Sequence, residues 1–387
     1  MKKIALMVCL ALLSAGAAFA DEAKLSPDDV KKALGVSFYL QGGYTYNSSA
    51  GLNADGQPEE NGLRIFDHKA NSFTVDLAEI VISKDAAAGT AGFKLKLSAG
   101  ETAKWIHSRG LSGAPLNQPQ TGEGTNAIDL SEAYISYIAN VGKGLRFDLG
   151  KMGTFIGAEV MEAKDDPNYS RSLLYNYAEP LTHTGLKASY GFSDAFSAAL
   201  FLVNGWDNST DNNRGKSYGA SLTFAPADMF SIIVNGITGP EQDDAPPPAV
   251  GSSASNRRSL VDVVATIKPL KDLSLIINTD NGREQDVLGV DGSASWSGIS
   301  GIVKYDFNET YSLAVRGETF GDKDGYRIGA GPVRVKEVTV TPEIRLNGGL
   351  SLKPEYRHDS ASAPVFNDGV KVKQYQNTVA LGVMYAW

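Results

Sequence analysis

Residues 375–387 read Y-Q-N-T-V-A-L-G-V-M-Y-A-W. Tyr375, Val379, Leu381, Val383, Tyr385 and Trp387 take one set of alternate positions, while Gln374, Gln376, Thr378, Ala380, Gly382 and Ala386 take the other. Successive side chains of a strand point to opposite faces, so this period of two separates an apolar, aromatic-rich face from a small and polar one. The segment is also long enough to cross a bilayer as a tilted strand, which needs about 9–11 residues. It is therefore expected to be a membrane strand with one face on lipid and one on water, anchored by Tyr375, Tyr385 and Trp387.

The same division recurs upstream. Phe93, Leu95 and Leu97 alternate with Lys94, Lys96 and Ser98, and Tyr311, Leu313 and Val315 alternate with Ser312, Arg316 and Glu318. Val338, Val340, Ile344 and Leu346 alternate with Glu337, Thr339, Thr341, Glu343 and Arg345. Leu350, Leu352 and Tyr356 alternate with Ser351, Lys353, Glu355 and Arg357. Connections alternate as well. Short ones such as 85–88, 193–194, 269–272 and 347–349 separate long ones such as 47–69, 102–127, 153–182 and 361–372. That rhythm is the pattern of tight periplasmic turns and long extracellular loops. A weak repeat of about 40 residues, read as one hairpin, accompanies it. Its units are Y-G-F-S-D-A-F-S, F-A-P-A-D-M-F-S, I-K-P-L-K-D-L-S and Y-D-F-N-E-T-Y-S. The expected fold is all-β: a transmembrane antiparallel β-barrel of about sixteen strands over 36–387, wide enough to leave an aqueous bore. Glu79 interrupts the apolar set Phe73, Val75 and Leu77, and Pro342 and Pro354 fall inside strands on the apolar face. Bulges or the barrel rim are expected to accommodate these prolines.

The first twenty residues predict a secretory signal: Lys2 and Lys3, an apolar run Ile4 to Leu13, and a small-x-small site Ala18-Phe19-Ala20. Residues 21–35 predict a short periplasmic lead-in. The single cysteine, Cys9, lies within the signal, so the mature chain is expected to contain no thiol. Removing Lys2 and Lys3 leaves 34 basic against 44 acidic residues, a net charge of −10. An acidic chain does not suit a phosphate backbone, so no nucleic-acid partner is expected. No two of the four histidines are near neighbours, and no metal site or cofactor is expected.

Catalysis has no clear carrier either. Adjacent Asp165 and Asp166 do not make an acid–base pair, and His183 near Ser189 and Asp194 is not a triad. No catalytic residue is assigned and an enzyme is not expected. The loop stretches D-G-Q-P-E-E-N-G and D-N-S-T-D-N-N-R-G lack the strict ligand order of a calcium loop. The longest loop, 153–182, carries Glu159, Glu162, Asp165, Asp166 and Arg171. Folded into the bore, it would narrow the pore and set a charge filter. The polar faces of the last strands add Arg316, Glu318, Glu337, Glu343, Arg345, Lys353, Glu355 and Arg357 as lumen-facing charges, a mixed wall able to select polar solutes.

Several segments together resemble the β-barrel porin-2, OmpL-like family. They are G-L-R-I-F-D-H-K-A-N-S-F-T-V-D-L-A-E-I at 62–80, D-L-G-K-M-G-T-F-I-G-A-E-V at 148–160, and N-Y-S-R-S-L-L-Y with P-L-T-H-T-G-L at 168–186. T-P-E-I-R-L at 341–346 and K-P-E-Y-R-H-D at 353–359 complete the set. The resemblance implies an outer-membrane porin passing small hydrophilic solutes or ions, and it hands over no catalytic residue. The alternative is a barrel that sheaths a partner protein or presents its loops as a receptor, with no open pore. The expected partners are outer-membrane lipid of a Gram-negative bacterium, small hydrophilic solutes or ions, and the barrel-assembly machinery acting through the C-terminal strand. Association into a homo-oligomer is left open.

Overall fold

A computed structural model describes residues 34–387 apart from 53–55, 57–58, 107, 109–126, 243–255, 288–289, 291 and 370. The expected signal and all but the end of the lead-in lie outside the described residues. The barrel begins with β1 (Gly35–Asn47), β2 (Ser72–Lys84), β3 (Ala91–Ala99) and β4 (Ile128–Ala139). It continues with β5 (Leu145–Gly153), β6 (Thr182–Gly191), β7 (Phe196–Val203), β8 (Ser217–Ala227) and β9 (Phe230–Pro240). Then come β10 (Arg257–Leu270), β11 (Leu273–Gln285), β12 (Ser293–Asp306), β13 (Tyr311–Asp322), β14 (Val333–Arg345) and β15 (Leu350–Ala361). A small loop hairpin, β16 (Phe366–Asp368) with β17 (Lys371–Lys373), precedes the last barrel strand, β18 (Tyr375–Ala386). A short helix, α1 (Glu101–Trp105), and one π-helical turn (Leu174–Ala178) complete the described elements.

Sixteen strands form a closed antiparallel barrel in which every strand pairs with its sequence neighbours. The seam is β1 against β18, with Tyr39 opposite Ala386 and Asn47 opposite Thr378. Phe38 and Trp387 exchange backbone hydrogen bonds of 2.8 and 2.9 Å across that seam. Closure leaves no strand edge with unpaired amides, which is the condition for backbone to sit in hydrocarbon.

The alternation read from β18 holds in three dimensions. Val379, Leu381, Val383 and Tyr385 point outward and exposed, while Gln376, Thr378, Ala380 and Met384 are buried inside. Exposed aromatics gather near the two rims. Phe38, Phe192, Phe307, Tyr311, Tyr385 and Trp387 mark the end with the short turns, and Tyr46, Phe73, Tyr218 and Tyr375 mark the other. Tyr375 thus lies at the rim opposite Tyr385 and Trp387.

Two local irregularities have definite causes. Glu79 does not face lipid. Gln41 of β1 pairs with Leu77 and the next residue, Gly42, pairs with Val75, so Asp76 is an extra residue in β2. This bulge switches the faces: Phe73 and Val75 are exposed outside, while Asp76, Leu77 and Glu79 are buried inside. The prolines need neither a bulge nor the rim. Pairs Val340↔Tyr356 and Ile344↔Leu352 keep one register through the intervening residues, which sets Pro342 directly opposite Pro354. Their missing N–H donors coincide in a single gap of one ladder, so one interruption serves both.

Sixteen strands were expected to leave a bore that wall side chains cannot fill, and loops occupy its outer half. Ile156, Leu173, Leu174 and Tyr177 of the 154–181 loop pack with Trp206, Trp296, Phe320, Val335 and Phe366 in a shared apolar core. Ile65 and Phe66 of the loop after β1 pack with Met161, Tyr175 and Leu181.

Candidate functional site: the inward-folded loop

The chain between β5 and β6 crosses the bore and is tied to its wall by charged side chains. Glu355 of β15 accepts the backbone N–H groups of Tyr169 (2.7 Å) and Ser170 (3.1 Å). Arg316 of β13 donates to Glu159 Oε1 (2.7 Å) and to the Ser170 carbonyl (2.7 Å), and it also pairs with Glu337 (2.6 Å). Arg357 donates to the Arg171 carbonyl (2.6 Å), Lys353 to the Ala163 carbonyl (2.6 Å), and Glu318 accepts the Leu173 amide (2.5 Å). Near the start of the loop, Gly157 donates to both oxygens of Asp262 (3.2 Å each) and Ala158 to Asn278 (2.6 Å).

This placement changes the reading of the wall charges. Arg316, Glu318, Glu337, Lys353, Glu355 and Arg357 are all buried and engage the loop or one another. Glu343 and Arg345 instead pair at 2.7 Å beside the short turn after β13's partner strand β12, where Arg345 also meets Asp306 at 2.9 Å. Desolvated charges of this kind are stable only when paired and hydrogen-bonded, and here the loop backbone supplies many of the bonds.

Within the loop, Arg171 acts as a staple. It pairs with Asp166 at 3.0 Å and donates to the carbonyls of Val160 (2.6 Å) and Tyr169 (2.5 Å). Burial raises the Asp166 carboxyl to about 7, against the lowering effect of Arg171 beside it. Glu162 reaches Lys96 of β3; burial would raise its carboxyl, but the adjacent ammonium holds it below its ordinary value. Asp165 is exposed and pairs with Lys164 at 2.5 Å.

Tyr169 has a seat prepared for it in the seam. Its ring lies over Gly43 and Gly382, which face each other across β1 and β18. A Cβ on Gly382 would come within 2.3 Å of the ring, and one on Gly43 within 2.2 Å of the hydroxyl. The hydroxyl donates to Asp76 at 2.7 Å, the residue that the bulge turns inward.

Below the loop, on the β1–β4 side, lies a cavity of about 790 Å³. Its charged lining is Glu79, Glu132, Glu159, Glu162 and Asp165 against Lys94, Lys96 and Lys164. Lys96 stands 3.0 Å from Glu132 and 3.9 Å from Glu79. Glu79, Lys94, Lys96 and Glu132 are absent from the sequence-derived set. The polar alternation of β3 around Lys94 and Lys96 was the available signal. His183 is buried and its ring nitrogens lie against the Gly205 carbonyl (3.0 Å) and Thr154 (3.2 Å), a structural role. In the 207–215 stretch Asp211 pairs with Lys216, and part of the 55–62 stretch lies outside the described residues.

The sequence matches the family described as "Putative beta-barrel porin-2, OmpL-like" over residues 33–386. No curated protein matches it. Among solved structures, the chain is similar to OprB of Pseudomonas putida, with a TM-score of 0.58 at 13% identity over 93% of this chain and 96% of that one. It is similar to the outer membrane channel DcaP of Acinetobacter baumannii, with 0.57 at 11% identity over 92% and 97%. The anion-selective porin of Comamonas acidovorans gives 0.57 at 10% identity over 92% and 99%. At these identities the likeness is one of fold.

Proposed function

Because the chain belongs to the β-barrel porin-2, OmpL-like family, we propose that it is an outer-membrane porin through which small hydrophilic solutes or ions diffuse passively. The observation that carries this reading is the closed sixteen-strand cylinder, apolar and exposed outside, charged and polar inside. A chain with only a wall to build would not need a charged bore.

The 154–181 loop acts as the constriction in this reading. Solutes pass beneath and beside it, along the space lined by Glu79, Glu132, Glu162 and Asp165 with Lys94 and Lys96. Opposed carboxylates and ammoniums there set a local field that favours polar, hydrated solutes. Arg171 and Asp166 hold the loop's shape, while Glu159 and the wall residues Arg316, Glu355 and Arg357 hold its position. Tyr375, Tyr385 and Trp387 anchor the barrel at its interfaces with lipid. Residues 1–20 direct export and are removed, residues 21–35 lead into the barrel from the periplasm, and the C-terminal strand is the one offered to the assembly machinery. The Vibrio cholerae protein OmpT, of similar fold, is described in a trimer form, which supports association of this chain with copies of itself.

The apolar packing among the outer loops is the one feature that favours the rival reading, a barrel closed by its loops that serves as a sheath or receptor. Deleting 157–178 separates the two. For a constricted channel, the shortened barrel conducts more per channel than the intact chain, which itself conducts. For a sheath, the intact chain is silent and only the deletion conducts. Equal conductance in both would place the loop outside the solute path.

A further inference from the structure

Three carboxyl groups meet where the loop returns toward β6, and among the described residues none of them forms a salt bridge. Asp262 of β10 and Asp280 of β11 are directly opposite in the strand register, and both point into the bore. Glu179, from the end of the loop, joins them. The three are 0%, 2% and 1% exposed. Like charges directly opposed across strands are destabilising, and burial removes the solvent that would screen them.

Their hydrogen bonds distinguish them. Both oxygens of Asp262 accept from the Gly157 amide at 3.2 Å, and Asn235 of β9 is its neighbour in the strand register. Glu179 closes over the Gly157 backbone whose amide serves Asp262, and Asp280 is the charged neighbour that acts on it most strongly. Yet Glu179 Oε2 and both Asp280 oxygens have no donor. Two carboxylates cannot bond to one another unless one holds a proton. Gly157 fixes this arrangement: its φ is +85°, and a Cβ there would come within 1.9 Å of Glu179 Oε2. Only glycine lets the carboxyl close over that backbone while its amide serves Asp262.

After Asp262, the charged groups that weigh most on the pair are Glu159 on the loop and Glu318 on β13, both acidic. The neighbouring wall positions on β11 and β12 carry Asn278 and Ser300, which are neutral. Among the described residues, no group of three or more His, Cys, Asp or Glu side chains is placed to hold a metal ion. One shared proton would remove the repulsion between two such carboxylates.

We propose that Glu179 and Asp280 share a proton, and that this carboxyl pair, seated beside Asp262, is a pH-released latch fixing the returning end of the loop to β10 and β11. Burial, then the neighbouring Asp280 and Asp262, hold the Glu179 carboxyl well above its ordinary value. A carboxyl raised in the docked state binds its proton more tightly there than when released. Docking is therefore favoured at acid pH and weakens as pH climbs from the ordinary carboxylate range through the raised value. Between those two values the ratio of released to latched loop rises by up to about tenfold per pH unit for one shared proton, and above the raised value it levels off. Arg327 on the Tyr177 carbonyl (2.5 Å) and Trp296 on the Ala178 carbonyl (3.2 Å) still hold the adjoining turn, so release loosens this end of the loop and leaves the rest seated.

The test uses the full chain folded in lipid vesicles, with heat-modifiable gel migration confirming that each variant folds. Infrared difference spectra at neutral pH, wild type minus variant, are expected to show one protonated-carboxyl component that both Glu179→Gln and Asp280→Asn remove, above the band left by other buried carboxyls such as Asp166. No such component in the wild type, a component unchanged in both variants, or stoichiometric calcium in the folded protein by elemental analysis would overturn the proposal. A second arm rests on the channel reading: open-channel fluctuations in single-channel records increase with pH in the wild type and stay flat in Glu179→Gln. The same rise in both would also overturn the latch. The infrared arm needs no conduction, so its failure is distinct from failure of the porin reading.

Discussion

Tyr169 shows how single residues position the constriction. It lies 186 positions from Glu355 and 93 from Asp76, yet it bonds to both through its amide and its hydroxyl. The slot it fills exists because Gly43 and Gly382 lack side chains. Gly382 sits in ordinary extended backbone, so a larger residue there strains no dihedral and acts only on the ring above it. Gly382→Val is therefore expected to leave the barrel folded and to lift the loop, raising unitary conductance above that of the wild type. A conductance equal to the wild type's would show that Tyr169 does not seat the loop. None of this was visible in the chain itself. Gly382 was legible as a water-facing position of β18, but the partner that requires its smallness lies more than two hundred residues away. The bulge at Asp76 was invisible for a similar reason: it is defined by the register with β1, and in sequence it appears only as an unexplained Glu79 on an apolar face.

At the scale of the strand, period-two alternation carried most of the information, because membrane and water impose opposite demands on neighbouring positions. The β18 pattern shows it directly, with Leu381 outward and Ala380 buried inward. Leu381 lies near the middle of its strand, 43% exposed on the outer face. Leu381→Arg is expected to cost about 2–4 kcal/mol of folding free energy in bilayers. Thr378→Ser, on the inner face, should cost well under half of that. Reversible denaturant titration in vesicles measures both, and equal costs would mean that the outer face does not meet hydrocarbon. Loops carry no such periodicity. The sequence marked 153–182 as long and charged, but its anchors on Glu318, Glu355 and Arg357 depend on which strands stand across the bore. The facing prolines of β14 and β15 make the same point: each looked like a separate defect until the register brought them together.

For the whole molecule, barrel size and loop packing pull in opposite directions. Sixteen strands enclose more volume than wall side chains fill, and the chain spends much of it on loops that share an apolar core at the outer end. What stays polar lies lower, around the cavity of about 790 Å³ beside β1–β4. On this geometry the bore conducts through a space narrowed from above. The most direct test is single-channel recording of the refolded full chain in planar bilayers at neutral pH in potassium chloride. Discrete current steps of uniform size are expected, growing in proportion to salt concentration as for any water-filled path. Bilayers that stay silent with correctly folded, heat-modifiable protein inserted would contradict it.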